Sequence, residues 1–154
     1  MTQQGLFGNG EIHTYLLTIR EGSAEALMSR KKPHEFRRKF DRYDGKARIF
    51  LYVTRPVGKV IGQVIFGSPI IDSVDSLCAL LVENEHDTEG GVRKYLAGCQ
   101  LAYALPVLDV KRFDNPISLE ELRRDNFGFN PPMSFIKLDK PKYHSLRDYL
   151  VKRG

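Results

Sequence analysis

The run Thr14-Tyr15-Leu16-Leu17-Thr18-Ile19 is dense in β-branched, aromatic and aliphatic side chains and predicts a buried strand. Gly22-Ser23 then opens a short helix over 24–29, with Ala24, Leu27 and Met28 on one face at the i, i+3, i+4 spacing. Past a basic turn, Phe36 stands between charged neighbours in His34–Arg38, the alternation of a half-buried strand. Asp44-Gly45 marks a turn, and Ala47–Thr54 is the strongest strand pattern in the chain, closed by Pro56. Val60–Gly67 predicts its neighbour, with Gly62 marking a bulge or a close backbone approach.

The second half is more broken. Ser73 or Asp75 caps a helix expected to run to about Glu85, with Leu77, Leu80 and Leu81 facing inward. Gly90-Gly91 should end it, leaving Val92–Leu96 as a further helical turn closed by Gly98. Leu101–Leu108 reads as a strand interrupted by Pro106, which puts its end at a sheet edge. Pro116 and the capping box Ser118-Leu119-Glu120-Glu121 start a helix ending near Arg124. Ser134–Leu138 is a last strand and Ser145–Lys152 a C-terminal helix. The polar, glycine-rich residues 1–12 read as a flexible tail and 13–154 as one domain. A strand, a helix, then mostly strands with helical insertions predict an α+β fold around a small, curved, mixed sheet.

Of the 154 residues, 42% are apolar and 28% charged, enough to build a core and too many apolar groups for wholesale disorder. No stretch reaches the roughly 18–20 apolar residues of a membrane-spanning helix, and the first residues lack the basic-then-apolar pattern of a secretion signal. Two cysteines, Cys78 and Cys99, are too few for a disulfide scaffold, so a reduced, cytoplasmic protein is expected. The four histidines are scattered, no cysteine has a ligand at zinc-site spacing, and Gly58-Lys59 lacks a phosphate-cradling glycine run. No metal or cofactor is therefore expected.

Charge changes the picture. The net charge is +5, but Arg30 to Lys59 holds eleven basic residues against three acidic ones. Val60 to Val92 holds no Lys or Arg and six acidic residues. Such polarity suggests one face that meets phosphates and another that repels them. The acidic stretch 72–89 is also a possible docking surface for a basic protein partner.

Leu16–Arg20 followed by Ala24–Arg37 resembles the opening of the ASCH domain family, a branch of the PUA-like superfamily. The family pattern G-x-K-x-x-E-x-R places Lys32, Glu35 and Arg37 on its last three fixed positions, with Arg30 where glycine stands. Ile49–Gly62, Tyr103-Ala104-Leu105 and Pro132-Met133-Ser134-Phe135 are similar to later strands of the family. The resemblance implies a small β-barrel with flanking helices, a cleft lined by the motif, and RNA or a nucleotide-like molecule as ligand. Some members are enzymes. One group hydrolyses N4-acetylcytidine with a lysine, a threonine three residues on and a glutamate; Lys32 falls on that lysine, but Glu35 takes the threonine position.

Glu35 and Arg37 fall on the same side of a strand, so the carboxylate could hold the guanidinium flat for a phosphate or base edge, with Lys32 as a flexible cation. The alternative is a surface ion pair without chemistry. Arg38, Lys39, Arg42 and Lys46 suit phosphate contacts, Tyr43 and Phe40 either stack on bases or anchor a loop, and Arg55 ends the central strand where a ligand could reach it. The leading expectation is an RNA-binding domain. Alternatives are an enzyme acting on a modified nucleoside or a ribonuclease, with Lys32 and Glu35 moving protons, and a protein-interaction adaptor.

Overall fold

A computed structural model describes residues 12–154; the expected N-terminal tail, Ile12 apart, lies outside the described residues. Seven strands form one mixed sheet: β1 (His13–Ile19), β2 (His34–Arg37), β3 (Ala47–Val53), β4 (Lys59–Phe66), β5 (Ile70–Asp72), β6 (Ala102–Ser118) and β7 (Phe135–Lys137). The order is β2-β6-β4-β3-β1-β7, with β5 paired to β6 beside it. Among the described residues only the β1–β3 pairing is parallel; the rest are antiparallel. The sheet curls into a half-barrel.

Alternation along the central strands sorts side chains onto two faces. Ile49, Leu51 and Val53 of β3 join Tyr15, Leu17 and Ile19 of β1 in the barrel interior. Phe50 and Tyr52 join Leu16, Phe113 and Ile117 in an outer core under α4 (Leu119–Asp125) and α5 (His144–Arg153). A third core packs Phe36, Ala102 and Ala104 against α2 (Val74–Cys78) and α3 (Glu89–Leu96). The remaining helix, α1 (Glu21–Met28), starts three residues before the predicted one and buries Ala24, Leu27 and Met28. Its Gly22 faces the His86 ring, 2.6 Å from where a Cβ would stand.

Several expectations change. The strand predicted to stop at Leu108 continues through Pro106 and Pro116 for 17 residues. Proline fits there because β6 changes neighbours at Pro106: β2 and β5 pair with its first residues and β4 with 107–118. Pro116 therefore lies within a strand, and Ser118 alone caps α4, its hydroxyl accepting from the Glu121 N–H at 3.1 Å. The helix expected to reach Glu85 stops at Cys78, and 82–88 turn back over α1, with Asn84 Oδ1 accepting from the N–H groups of His86 and Asp87. The glycines expected to break the helix sit in the first turn of α3, capped by Thr88. Gly62 is a close approach: a Cβ would collide with the Lys111 carbonyl oxygen, and the β4–β6 register shifts there. No described helix is long and apolar enough to cross a membrane.

Candidate functional site

Lys32, Glu35 and Arg37 converge. Lys32 follows α1, its N–H donating to the Ala26 carbonyl, and Glu35 and Arg37 lie on the face of β2 turned toward the barrel interior, opposite Phe36. Lys32 Nζ lies 2.6 Å from Glu35 Oε1, and Arg37 Nη1 donates to Glu35 Oε2 at 3.3 Å. Glu35 thus stands between the two cations. Arg37 Nη2 donates to Ser134 Oγ at 3.1 Å, and Asp87 Oδ2 lies 3.7 Å from Lys32 Nζ. The side chains of Lys32 and Glu35 are only 4% and 5% exposed, so their charges survive by pairing with one another. Arg37, at 13%, is the most open of the three.

Two cations meet two carboxylates, and Lys32 is committed to both acids rather than free to swing. Arg30, at the glycine position of the family pattern, adopts φ of 59°, the left-handed conformation that glycine takes most easily, and pairs with Asp109. Between Pro33 and Glu35, the His34 ring buries an Nδ1 without a hydrogen-bond partner among the described residues, and burial lowers its pKa from the usual value.

The other predicted residues do not gather around this cluster. Residues 38–46 run from β2 to the start of β3 along the open side of the barrel. Phe40 and Tyr43 plug it: Phe40 lies 4.3 Å from the Phe135 ring, and the Tyr43 hydroxyl donates to the Gly67 carbonyl at 2.7 Å. Both rings are buried, so the expectation that Tyr43 stacks on bases gives way to the anchoring role. Asp41 accepts from the Tyr15 hydroxyl at 2.6 Å and pairs with Lys137. Burial opposes the Asp41 charge, but Tyr15 and Lys137 hold its pKa below the usual value. Arg38 points outward and caps α3, donating to the Tyr95 and Ala97 carbonyls. Lys39 is exposed, and Arg42 lines a groove of about 480 Å³ with His13, Asp44 and Ser68, none of them a motif residue. Arg55 is exposed past the far end of β3, separated from Arg42 and Lys46 by the whole strand, roughly 20 Å or more.

Sequence reasoning missed Ser134 and Asp87. Ser134 had a signal in the similarity of Pro132–Phe135 to a family strand, but nothing that tied it to Arg37. Asp87 belongs to the acidic stretch, whose charges are largely used internally: Lys31 pairs with Glu85, Lys32 with Asp87, and Arg93 with Asp75 and Glu89. Among the described residues no group of His, Cys, Asp and Glu is arranged to hold a metal ion.

No protein-family model matches the chain. A curated relative, the ASCH domain-containing ribonuclease of Zymomonas mobilis, is 32% identical over 123 residues, 80% of this chain and 82% of that protein. A crystal structure of ASCH from Zymomonas mobilis matches with a TM-score of 0.74 at 27% identity, over 89% of this chain and 94% of that one. A tyrosine-to-phenylalanine variant of it gives 0.76 at 28%, over 89% and 97%. The N-terminal domain of McrB from Staphylothermus marinus shares the fold alone, with a TM-score of 0.56 at 8% identity over 92% and 94%. With the motif cluster assembled on a curled mixed sheet and a relative matched over most of both lengths, the chain belongs to the ASCH domain family.

Proposed function

We propose that this ASCH domain binds RNA, and that Arg37 is the residue that meets its backbone. The observation that carries this reading is the guanidinium fixed between Glu35 and Ser134, with part of its surface open to solvent. A guanidinium held flat presents its remaining N–H groups in a plane, which suits a phosphate better than a swinging lysine does. Lys39 and Arg42, outward on the adjoining segment, add sequence-blind attraction. Lys32 and Glu35 act in this reading as the buried brace of Arg37, not as ligands themselves.

Binding of a single-stranded RNA oligomer is expected to weaken steeply between about 50 and 200 mM salt, with the slope of log K against log salt falling by about one in Arg37→Ala. Binding indifferent to both salt and Arg37 refutes the proposal.

RNA cleavage is the second reading, favoured by the name of the Zymomonas relative. Here the Ser134 hydroxyl and the Arg37 guanidinium are polar groups set side by side and both partly open to solvent, where a guanidinium can neutralise charge growing on phosphate oxygens. Both Glu35 oxygens are occupied by cations, which argues against its exchanging protons in this arrangement. The same occupancy disfavours acetylcytidine hydrolysis, because an ion-paired carboxylate holds the position of the nucleophilic threonine. Shortening of an end-labelled RNA, lost in both Arg37→Ala and Ser134→Ala, is expected if the domain cleaves; an intact oligomer at saturating protein removes this reading and leaves binding standing.

A further inference from the structure

Two large apolar side chains between α4 and β7, Phe127 and Met133, are as open to water as in an extended chain, at 105% and 102% exposure. The backbone around both is tied down. Asn126 N–H donates to the Leu122 carbonyl, Phe129 N–H to the Asn126 carbonyl, and Arg123 Nε to the Phe129 carbonyl. Gly128, with φ of 77°, turns the chain so that Phe129 enters the outer core while Phe127 is left outside. At the other end, Thr18 donates through its hydroxyl to the Pro132 carbonyl at 2.6 Å and through its N–H to the Ser134 carbonyl at 2.9 Å. Met133 is held between those two anchored residues, directly beside the serine that Arg37 grips.

Two single side chains are too little surface for a stable protein interface, which takes about 800 Å² per partner. They match the size of a base face. Residues 126–134 include no Asp or Glu, so nothing in this stretch repels a phosphate chain. We propose that Phe127 and Met133 are the base-contacting positions of the RNA site, each covering the face of an unpaired base in a strand whose phosphate meets Arg37. The proposal rests on the RNA-binding reading above and sharpens it to single-stranded RNA, because base faces are hidden in a duplex.

The chain has no tryptophan, so Phe127→Trp installs a single fluorescent reporter at the proposed contact. Titration with a single-stranded RNA oligomer is expected to quench its emission saturably, and the matching duplex to leave it unchanged. Phe127→Ala should weaken single-strand binding about tenfold and Met133→Ala less. Neither should alter the salt slope, since no charge is removed, whereas Arg37→Ala should lower it. Unchanged emission at RNA saturation, or parental affinity in both alanine variants while Arg37→Ala still binds poorly, overturns the base contacts and leaves RNA binding intact. Failure of the parent protein to bind RNA overturns both. Self-association of the parent that disappears in Phe127→Ala assigns these side chains to a second copy and overturns the proposal as well.

Discussion

Arg37 and Ser134, 97 residues apart in the chain, are joined by a 3.1 Å hydrogen bond that connects the two ends of the strand order. β2 is first in that order and β7, which begins right after Ser134, is last. No backbone ladder joins them, so this side-chain contact and the Phe40–Phe135 packing close the gap. Ser134→Ala should therefore cost about 1–2 kcal/mol in urea unfolding, as loss of a charge-assisted hydrogen bond. Arg37→Lys should lose the same contact, because an ammonium cannot reach Glu35 and Ser134 in one plane.

The buried Lys32–Glu35 pair gives a double-mutant test. Lys32→Ala leaves the almost completely enclosed Glu35 carboxylate with Arg37 as its one remaining cation, and a loss of about 2–3 kcal/mol is expected. Lys32→Met combined with Glu35→Leu should lose clearly less than the sum of the single changes, with a coupling of about 1 kcal/mol or more. Simple addition of the two effects in a urea-denaturation cycle contradicts a coupled pair.

His34 sets a pH dependence whose sign follows from its burial. Its folded pKa is lowered, so below the unfolded value of about 6.5 the unfolded chain takes up a proton that the folded ring resists. The stability contribution of the neutral ring is complete above about pH 6.5 and is lost as pH falls from there toward the folded pKa. His34→Gln should flatten the decline of melting temperature between pH 7 and 5. An unchanged decline assigns the acid sensitivity to other groups, among them Asp41, whose lowered pKa supplies stability that is lost at more acidic pH.

Two glycines separate backbone from side-chain obstruction. At Gly62 the obstacle is the Lys111 carbonyl, with Arg112 Cα at 3.0 Å, so Gly62→Ala must displace β6 and should cost about 1–3 kcal/mol. At Gly22 the obstacle is the exposed His86 ring, which can swing away, and alanine gains up to about 1 kcal/mol of helix propensity in α1. Gly22→Ala should be neutral or stabilising in thermal melts.

Much of the barrel was legible because its signals are local. β1, β3 and β4 declare themselves by β-branched and aromatic runs, and Ser118 with Glu121 marks the start of α4. The motif could be read as far as Glu35 and Arg37 sharing a strand face. What stayed hidden depends on distant partners. Pro106 suggested an edge because proline lacks an N–H, and only the change of neighbours along β6 makes room for it. β5 is three residues long and half exposed, with no alternation to detect. The charge blocks suggested two opposed faces, whereas the fold lays parts of them together, Lys31 on Glu85 and Lys32 by Asp87. Phe40 and Tyr43, interleaved with cations, fit stacking and anchoring equally well until the position of Phe135 and Gly67 decided for anchoring.

The 17 residues of β6 supply Leu105 to the barrel interior, Phe113 and Ile117 to the outer core, and Ala102 and Ala104 to the core beneath α2 and α3. A strand shared in this way acts as a spine: none of the three cores can come apart without tugging on the other two. Heating should therefore produce a single calorimetric transition, and the amides of β4 and β6 should exchange with solvent only when the whole molecule opens.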